Sequence, residues 1–200
     1  MRRDLTGVDA SIPLARLHVL SGGATSVSDQ SGWMPRGLAR TRRLVDAARQ
    51  GGPVVLGVCL GAQMIVESMC PGGIRGAKRI EVGLAEIEWS LEENGSLVAP
   101  AFHYEEIDSS TITDSGGEVV ATNAHSPVQG FRFGGRVWGL QFHPELDPTD
   151  VRRLVHYHKR TITTYGGDIA LALRSVDQLE SRWSGDSFEQ LLNSIGASNA

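Results

Sequence analysis

The apolar positions of this 200-residue chain fall into short continuous runs separated, in the first half, by longer amphipathic stretches. We interpret the short runs as strands at Leu17–Leu20, Val54–Val58, Ala85–Trp89, Phe102–Ile107, Val119–Thr122, Gly130–Phe133 and Val137–Phe142. The helical patterns lie at about Pro35–Gln50, Leu60–Met69, Asp150–Thr164 and Phe188–Ile195. This order predicts an α/β fold with a mostly parallel sheet flanked by helices and a small antiparallel part.

The boundary of the core domain is predicted near residue 147. A Gly134-Gly135 pair between two strand-like runs indicates a hairpin just before it. After Glu145 the pattern becomes mostly helical, with Tyr165–Asp168 separating two segments. We therefore expect one domain over residues 1–147, with a helical extension over 148–200 packed on it. The last residues, Gly196–Ala200, are expected to fray.

The buried strand Val54–Val58 runs directly into Cys59 and then into a helical pattern. A nucleophile at a sharp strand-to-helix turn is the arrangement of a nucleophile elbow. Gly57 and Gly61 leave room for the turn, and the positive end of the following helix favours a thiolate at Cys59. The alternative interpretation is a small buried hydrophobic cysteine, so the assignment depends on a nearby base.

A candidate base stands at the end of a later strand. His143 follows Val137–Phe142, Pro144 cannot continue the ladder, and Glu145 lies two residues beyond the histidine. A cysteine nucleophile needs an imidazole to move protons, and the imidazole needs a third group to orient it. In extended backbone, Glu145 points to the same side as His143. The alternative is a His-Pro-Glu sequence that only turns the chain.

These two motifs resemble those of the class I, or triad, glutamine amidotransferases. Gly57–Gln63 matches the family's Gly-x-Cys-x-Gly-x-Gln elbow, and Gly139–Glu145 matches its Gly-x-Gln-Phe-His-Pro-Glu motif. The similarity extends from about Leu17 to Glu145 and is strongest to stand-alone domains like the amidotransferase half of GMP synthase. It implies a flavodoxin-like fold and a Cys59, His143 and Glu145 triad that needs no metal or organic cofactor.

The resemblance also implies further site residues. Val19–Gly23 is similar to the family's Ser-Gly-Gly loop, so the backbone N–H groups of Gly23 and Leu60 are expected to form the oxyanion hole. Gln63 matches the position that holds the amino-acid end of glutamine, and Ser126 matches a backbone contact to it. Without the resemblance, Gly22-Gly23 is an ordinary turn and Gln63 a solvated residue in the first turn of a helix.

The composition limits the classes of partner and the location that we expect for this protein. The net charge of −4 gives no electrostatic case for nucleic acid, and the arginines of the first long helix are expected on a solvated face. No apolar run approaches the length of a membrane span, and no signal peptide is expected at Met1. Two cysteines do not suggest a disulfide framework, and a nucleophilic thiol suits the cytoplasm. Cys70 is interpreted as structural.

Two segments depart from the family pattern. Family members have a strand, a helix and a second strand before the Ser-Gly-Gly strand, and residues before Ser21 can supply only one strand. We therefore expect either an upstream start or a truncated paralogue, with a gap or an exposed sheet edge near Leu17–Leu20. The second departure is His103–Glu106, where relatives have a His-Gly-Asp stretch that faces the acceptor partner.

The sequence therefore predicts hydrolysis of the side-chain amide of glutamine through a cysteinyl thioester. The ammonia would pass to a separate synthetase or other acceptor protein. Two alternatives remain: a γ-glutamyl hydrolase or peptidase with the same triad, and a truncated, non-enzymatic paralogue.

Overall fold

The computed structural model describes residues 15–29, 31–91, 95–183 and 187–194. Their seven strands form one sheet in the order β1-β2-β7-β6-β5-β3-β4. The strands are β1 (Leu17–Leu20), β2 (Val54–Val58), β3 (Ile74–Trp89), β4 (Gly95–Ile107), β5 (Glu118–Thr122), β6 (Gly130–Phe133) and β7 (Val137–Leu140). The helices are α1 (Met34–Arg49), α2 (Leu60–Met69), α3 (Ser109–Asp114), α4 (Pro148–Tyr157), α5 (Lys159–Thr164), α6 (Ile169–Arg182) and α7 (Ser187–Ser194).

The parallel strands β1, β2 and β7 form the part of the sheet that carries the elbow. All five residues of β2 are buried, because successive side chains enter opposite cores. Val55 packs with apolar residues of α1 and α2, while Leu56 and Val58 pack with β3, β4 and α7. The carboxyl ends of these strands meet at one edge, where ligands bind in open α/β sheets.

The antiparallel part is larger than the hydrophobic pattern predicts. Strand β3 begins at Ile74 and β4 at Gly95, well before the predicted starts at Ala85 and Phe102. The two strands form one long hairpin with a register shift between Gly76 and Glu81. Charged residues at the start of β3 and a proline within β4 interrupt the apolar pattern, and this conceals the strands. The Gly-Gly hairpin between β6 and β7 is confirmed.

The helical predictions are confirmed with adjusted bounds. The long helix predicted at Asp150–Thr164 is two helices, α4 and α5, with a break at His158. The sequence predicts a helical segment after Asp168 without bounds, and the structure shows it as α6. The side chain of Asp168 caps the first turn of α6 by accepting from the N–H of Leu171. Helices α4 and α6 pack on the outer side of the β3–β4 hairpin. The division into a domain over residues 1–147 and a helical extension over 148–200 packed on it stays a prediction, and Gly196–Ala200 lie outside the described residues.

Strand β1 is the end strand of the described sheet. It pairs directly with β2, so no gap lies between the described strands, and Val19 is 49% exposed at this edge. Of the possibilities predicted for Leu17–Leu20, the structure shows the edge and not the gap. On α1 the arginines are exposed as predicted, except Arg40, which is buried one turn before Leu44 on the packed face.

Candidate active site

The turn between β2 and α2 holds Cys59 in a strained backbone conformation. Its φ of 50° is the only positive value among the described residues other than glycine. Such a conformation costs about 1–3 kcal/mol and persists only where the surrounding fold imposes it. The β7 strand contributes to this, because the N–H of Cys59 donates to the carbonyl of Leu140 over 2.7 Å. The predicted elbow is therefore confirmed as a structural feature.

The flanking glycines of the elbow are required by close packing. A Cβ at Gly61 would lie 2.0 Å from the carbonyl oxygen of Leu20, and one at Gly57 would lie 2.6 Å from the backbone nitrogen of Ala62. The end of β1 and the first turn of α2 therefore meet through bare backbone. No side chain caps the first turn of α2, where Cys59 is the N-cap residue. The positive end of this helix is expected to favour a thiolate at Cys59.

The imidazole of His143 lies beside Cys59 and is fixed from two sides. Its Nδ1 is 2.8 Å from Oε1 of Glu145, and its backbone N–H donates to the carbonyl of Pro100 on β4 over 2.8 Å. Both Cys59 and His143 are more than 90% buried. Because Glu145 occupies Nδ1, the other ring nitrogen is the one left for the sulfur. The structure thus brings together the three residues that the sequence predicts as a triad.

The electrostatics of the pair favour a protonated imidazole. Burial alone would lower the pKa of His143, but the charge of Cys59, the hydrogen bond to it and the carboxylate of Glu145 raise it to about 10. A thiolate beside an imidazolium is the reactive form of a catalytic cysteine pair. The site can therefore attack a carbonyl carbon and carry a proton for the leaving group.

The loop after β1 lies against the first residue of α2. A Cβ at Gly23 would be 2.8 Å from Cδ2 of Leu60, so the two residues predicted to supply the oxyanion donors are neighbours. Gly22 touches the reactive pair itself, because its Cβ would lie 2.8 Å from Cε1 of His143 and 3.5 Å from Cβ of Cys59. The roles of Gly23 and Leu60 as donors stay predictions.

Gln63 points into the protein. It is only 4% exposed, so the interpretation as a solvated helix residue is wrong. Its Nε2 donates to Oε1 of Gln141 over 3.2 Å and lies 3.5 Å from the carbonyl oxygen of Glu105. The amide is held at the carboxyl end of the parallel strands, on the first turn after Cys59. This position is compatible with the predicted contact to the amino-acid end of a substrate.

A buried polar cluster centred on Glu81 lies beside these residues. The carboxylate of Glu81 accepts from Asn123 Nδ2 over 2.6 Å and from Gln129 Nε2 over 2.7 Å, and it is 2.8 Å from Nε2 of His103. The other His103 nitrogen is 3.0 Å from the carbonyl of Glu105, so both nitrogens of the ring have a partner. Burial would raise the pKa of Glu81, but chiefly the hydrogen bond and charge of His103 hold it below its usual value.

Ser126 belongs to the turn next to this cluster. Its N–H donates to Oδ1 of Asn123 over 2.7 Å, and its carbonyl accepts from the N–H of Asn123 over 3.2 Å. The N–H is therefore engaged within the turn, and the carbonyl oxygen retains one lone pair for a further partner. The predicted backbone contact of Ser126 to a substrate stays a prediction.

Sequence reasoning did not find the partners of Glu81. Asn123, Gln129 and His103 come from three different strands or their ends, so no local spacing joins them. The available signal was the set of polar residues within apolar runs, since buried polar groups need hydrogen-bond partners. Among the described residues, no cluster of three or more His, Cys, Asp and Glu side chains is arranged to hold a metal ion.

We expect Gly22→Ala to lower kcat for the glutamine hydrolysis that the sequence predicts by about a hundred-fold, because the new methyl group would displace the imidazole of His143. The fold should persist, since the contact is a side-chain ring and not backbone. The measurement is kcat together with the thermal midpoint. Gly135→Ala is the matched control, since a Cβ there meets no atom within 4 Å. Unchanged kcat in Gly22→Ala would contradict the geometry.

The fold and the elbow define the class of protein to which this chain belongs. Residues 14–158 match the family described as glutamine amidotransferase class-I, and the chain belongs to that family. No helix in the part of the chain that the structure describes is long and apolar enough to span a membrane.

Individual relatives agree with this assignment. The chain is 27% identical over 177 residues to the GMP synthase (glutamine-hydrolysing) of Lactiplantibacillus plantarum, a match that covers 85% of the chain but only 30% of that enzyme. Its fold is similar to a glutamine amidotransferase from Thermotoga maritima, with a TM-score of 0.68, 24% identity, and coverage of 94% of this chain and 82% of that one. A putative GMP synthase subunit from Thermoplasma acidophilum gives a TM-score of 0.53 at 24% identity, over 74% and 76% of the two chains.

Proposed function

We propose that this protein hydrolyses the side-chain amide of glutamine and delivers ammonia to a separate acceptor enzyme. The observation that carries the proposal is the strained Cys59 at the start of α2, beside a His143 imidazole that is oriented by Glu145. Family membership supports the amide of glutamine as the bond that is cleaved.

The reaction begins with attack of the Cys59 thiolate on the side-chain amide carbon. The tetrahedral intermediate collapses when the C–N bond breaks, and the His143 imidazolium gives its proton to the departing nitrogen, which leaves as ammonia. His143 then takes a proton from water as the water attacks the glutamyl thioester. The C–S bond breaks, glutamate leaves, and the thiolate and imidazolium are restored. Glu145 holds the ring in the orientation that both proton transfers need.

The negative charge on both tetrahedral oxygens needs preorganised donors. The N–H groups of Gly23 and Leu60 fill this role in the proposal, supported by the packing of Gly23 on Leu60 and by the uncapped first turn of α2. Removal of one such donor typically costs on the order of a hundred- to a thousand-fold in rate.

The amino-acid end of glutamine is assigned to the side of the site that contains Gln63 and Ser126. Gln141 Nε2 and Gln129 Oε1 are buried there without a protein partner among the described residues. Both atoms are closed to solvent in this structure, so a ligand would reach them only after the neighbouring side chains move. The carbonyl oxygen of Ser126 and the amide oxygen of Gln63 are further hydrogen-bond acceptors for the substrate.

The enzyme that accepts the ammonia is inferred from the relatives of this chain. This chain spans about 30% of the length of the GMP synthase it matches, and a putative GMP synthase subunit from Thermoplasma acidophilum has a similar fold. We infer that the protein acts in the cytoplasm as the glutaminase partner of a separate synthetase.

The proposal is tested by the ammonia released from free glutamine, compared with the amine released from γ-glutamyl dipeptides. We expect kcat/KM to be higher for glutamine than for the dipeptides, and Cys59→Ser to lose both activities. Cys70→Ser is the control, because Cys70 lies at the other end of α2 with its sulfur 2.7 Å from the hydroxyl of Ser115. Preference for the dipeptides would replace the proposal with a γ-glutamyl hydrolase.

The raised pKa of His143 predicts the pH dependence of turnover. Its pKa of about 10 lies above the ordinary 6.5, so the imidazolium persists at neutral pH and is lost as pH rises through about 10. The alkaline limb of the kcat/KM profile is therefore expected near pH 10. Glu145→Gln removes a carboxylate that raises this pKa, so the limb should move to lower pH with a milder loss of rate than His143→Ala. An unmoved limb in Glu145→Gln would show that Glu145 does not control the imidazole.

A further inference from the structure

The segment His103–Glu106 reaches the loop that carries Gly23. The hydroxyl of Tyr104 donates to the carbonyl of Ala24, the residue after Gly23, over 3.3 Å. The residue after Tyr104 supplies a second tie, because the hydroxyl of Ser26 donates to Oε1 of Glu105 over 2.5 Å. Strand β4 thus holds the outer part of the loop from two consecutive positions.

Tyr104 is itself held by a residue from the connection between α5 and α6. The rings of Tyr104 and Tyr165 are stacked, with centroids 4.1 Å apart and an interplanar angle of 13°. A stacked aromatic pair stabilises the fold by more than the burial of its apolar surface alone. Tyr165 lies outside the residues 14–158 that match the family, so the brace comes from the part of the chain beyond the family match.

The hydroxyl of Tyr104 keeps its proton and can therefore act as a hydrogen-bond donor throughout turnover. Burial first, and then neighbouring acidic groups that include Glu105 and Cys59, raise the pKa of Tyr104 above its ordinary value. The hydroxyl therefore remains protonated across the working pH range.

The inner side of the loop has no comparable tie among the described contacts. Gly22 and Gly23 lie against His143 and Leu60, and neither glycine has a side chain to fix its backbone. Glycine is the most mobile residue when its neighbours do not restrain it. Loss of the outer tie would therefore reach the N–H of Gly23, which lies one residue before the carbonyl that Tyr104 holds.

We propose that Tyr104, braced by Tyr165, is a positioning residue that holds the Ser21–Ser26 loop so that the N–H of Gly23 points at the developing oxyanion. The inference rests on the proposed glutaminase function. Tyr104 acts on the transition state through the loop and not on the thiol.

The decisive variants separate the hydrogen bond from the stack. Tyr104→Phe keeps the ring and removes the donor, and we expect kcat for glutamine to fall about ten-fold while KM stays within about two-fold. Tyr165→Ala should lower kcat by a similar factor. Tyr165→Phe should have the wild-type kcat, because it keeps the stacking of the ring on Tyr104. Tyr157→Ala is the matched control, since Tyr157 is 85% exposed, and it should have no effect.

Two further measurements exclude a general structural effect. The rate of Cys59 alkylation by iodoacetamide should be the same in Tyr104→Phe as in the wild type, because the Cys59 and His143 pair is intact. The order parameter of the Gly23 N–H from NMR relaxation should fall from about 0.85 toward 0.6 in Tyr104→Phe and Tyr165→Ala, and should not change in Tyr165→Phe.

The outcomes distinguish this inference from the proposed function. Absence of glutamine turnover in the wild-type protein would refute the proposed function, while the order parameter of Gly23 would still decide whether Tyr104 holds the loop. Wild-type kcat together with an unchanged Gly23 order parameter in Tyr104→Phe would overturn the positioning role. A fall in alkylation rate equal to the fall in kcat would also overturn it, because the effect would then lie on the thiol.

Discussion

Cys59→Ser is expected to reduce glutamine turnover by on the order of a thousand-fold or more, because a serine hydroxyl at this position is not ionised by the imidazole. His143→Ala should cost nearly as much, since the same proton transfers then have no carrier. The double variant should lose little more than either single one, because the pair acts in one step. Steady-state ammonia release from the two single variants and the double variant measures the coupling between Cys59 and His143.

The interpretation of this cycle depends on an intact fold. Cys59 and His143 are buried, so each variant needs a thermal midpoint and a circular dichroism spectrum that match the wild type. His156→Ala on α4 serves as a histidine control outside the site. Additive losses for Cys59→Ser and His143→Ala would show that the two residues do not work in the same step.

Removal of the Glu81 carboxylate is expected to have the largest effect on stability. Glu81→Ala should lower the free energy of unfolding by about 3 kcal/mol, because it leaves the buried ring of His103 and the amides of Asn123 and Gln129 without their shared partner. Glu88→Ala is the matched control on the same strand, since Glu88 is exposed. Urea unfolding of both variants measures the difference, and equal stabilities would contradict the role of the cluster.

The same carboxylate predicts a dependence of stability on pH. The pKa of Glu81 is lower in the folded protein than its ordinary value of 4.5, so its contribution is fully present above about pH 4.5 and is lost as pH falls further. Wild-type protein should therefore lose stability on acidification, and Glu81→Gln should lose less over that range. An equal loss in both proteins would show that Glu81 is not the group responsible.

The elbow and the contact between His143 and Glu145 could be predicted because each depends on local sequence, whereas the pairing of the two motifs came from the resemblance to the family. Gly57, Cys59 and Gly61 lie within one turn of chain, and the structure explains the glycines by close contact with Leu20 and Ala62. His143 and Glu145 are two residues apart and form the predicted contact. The parallel strands that join the two motifs follow from their apolar runs.

The remaining features depend on contacts between distant segments. The early part of β3 carries charged residues, so its strand and the position of Glu81 beside Asn123 and Gln129 were not visible in the apolar pattern. Tyr104 and Tyr165 meet only because α5 and α6 fold back over β4. No period or spacing in the sequence indicates such pairs, since packing alone selects them.

The most direct test of the account is the site of covalent labelling by a glutamine analogue with an electrophilic side chain. We expect intact-protein mass spectrometry to show one adduct per chain and peptide mapping to place it on Cys59. Labelling should be slowed in His143→Ala and unaffected in Cys70→Ser. An adduct on Cys70, or equal labelling of both cysteines, would contradict the assignment of Cys59 as the nucleophile.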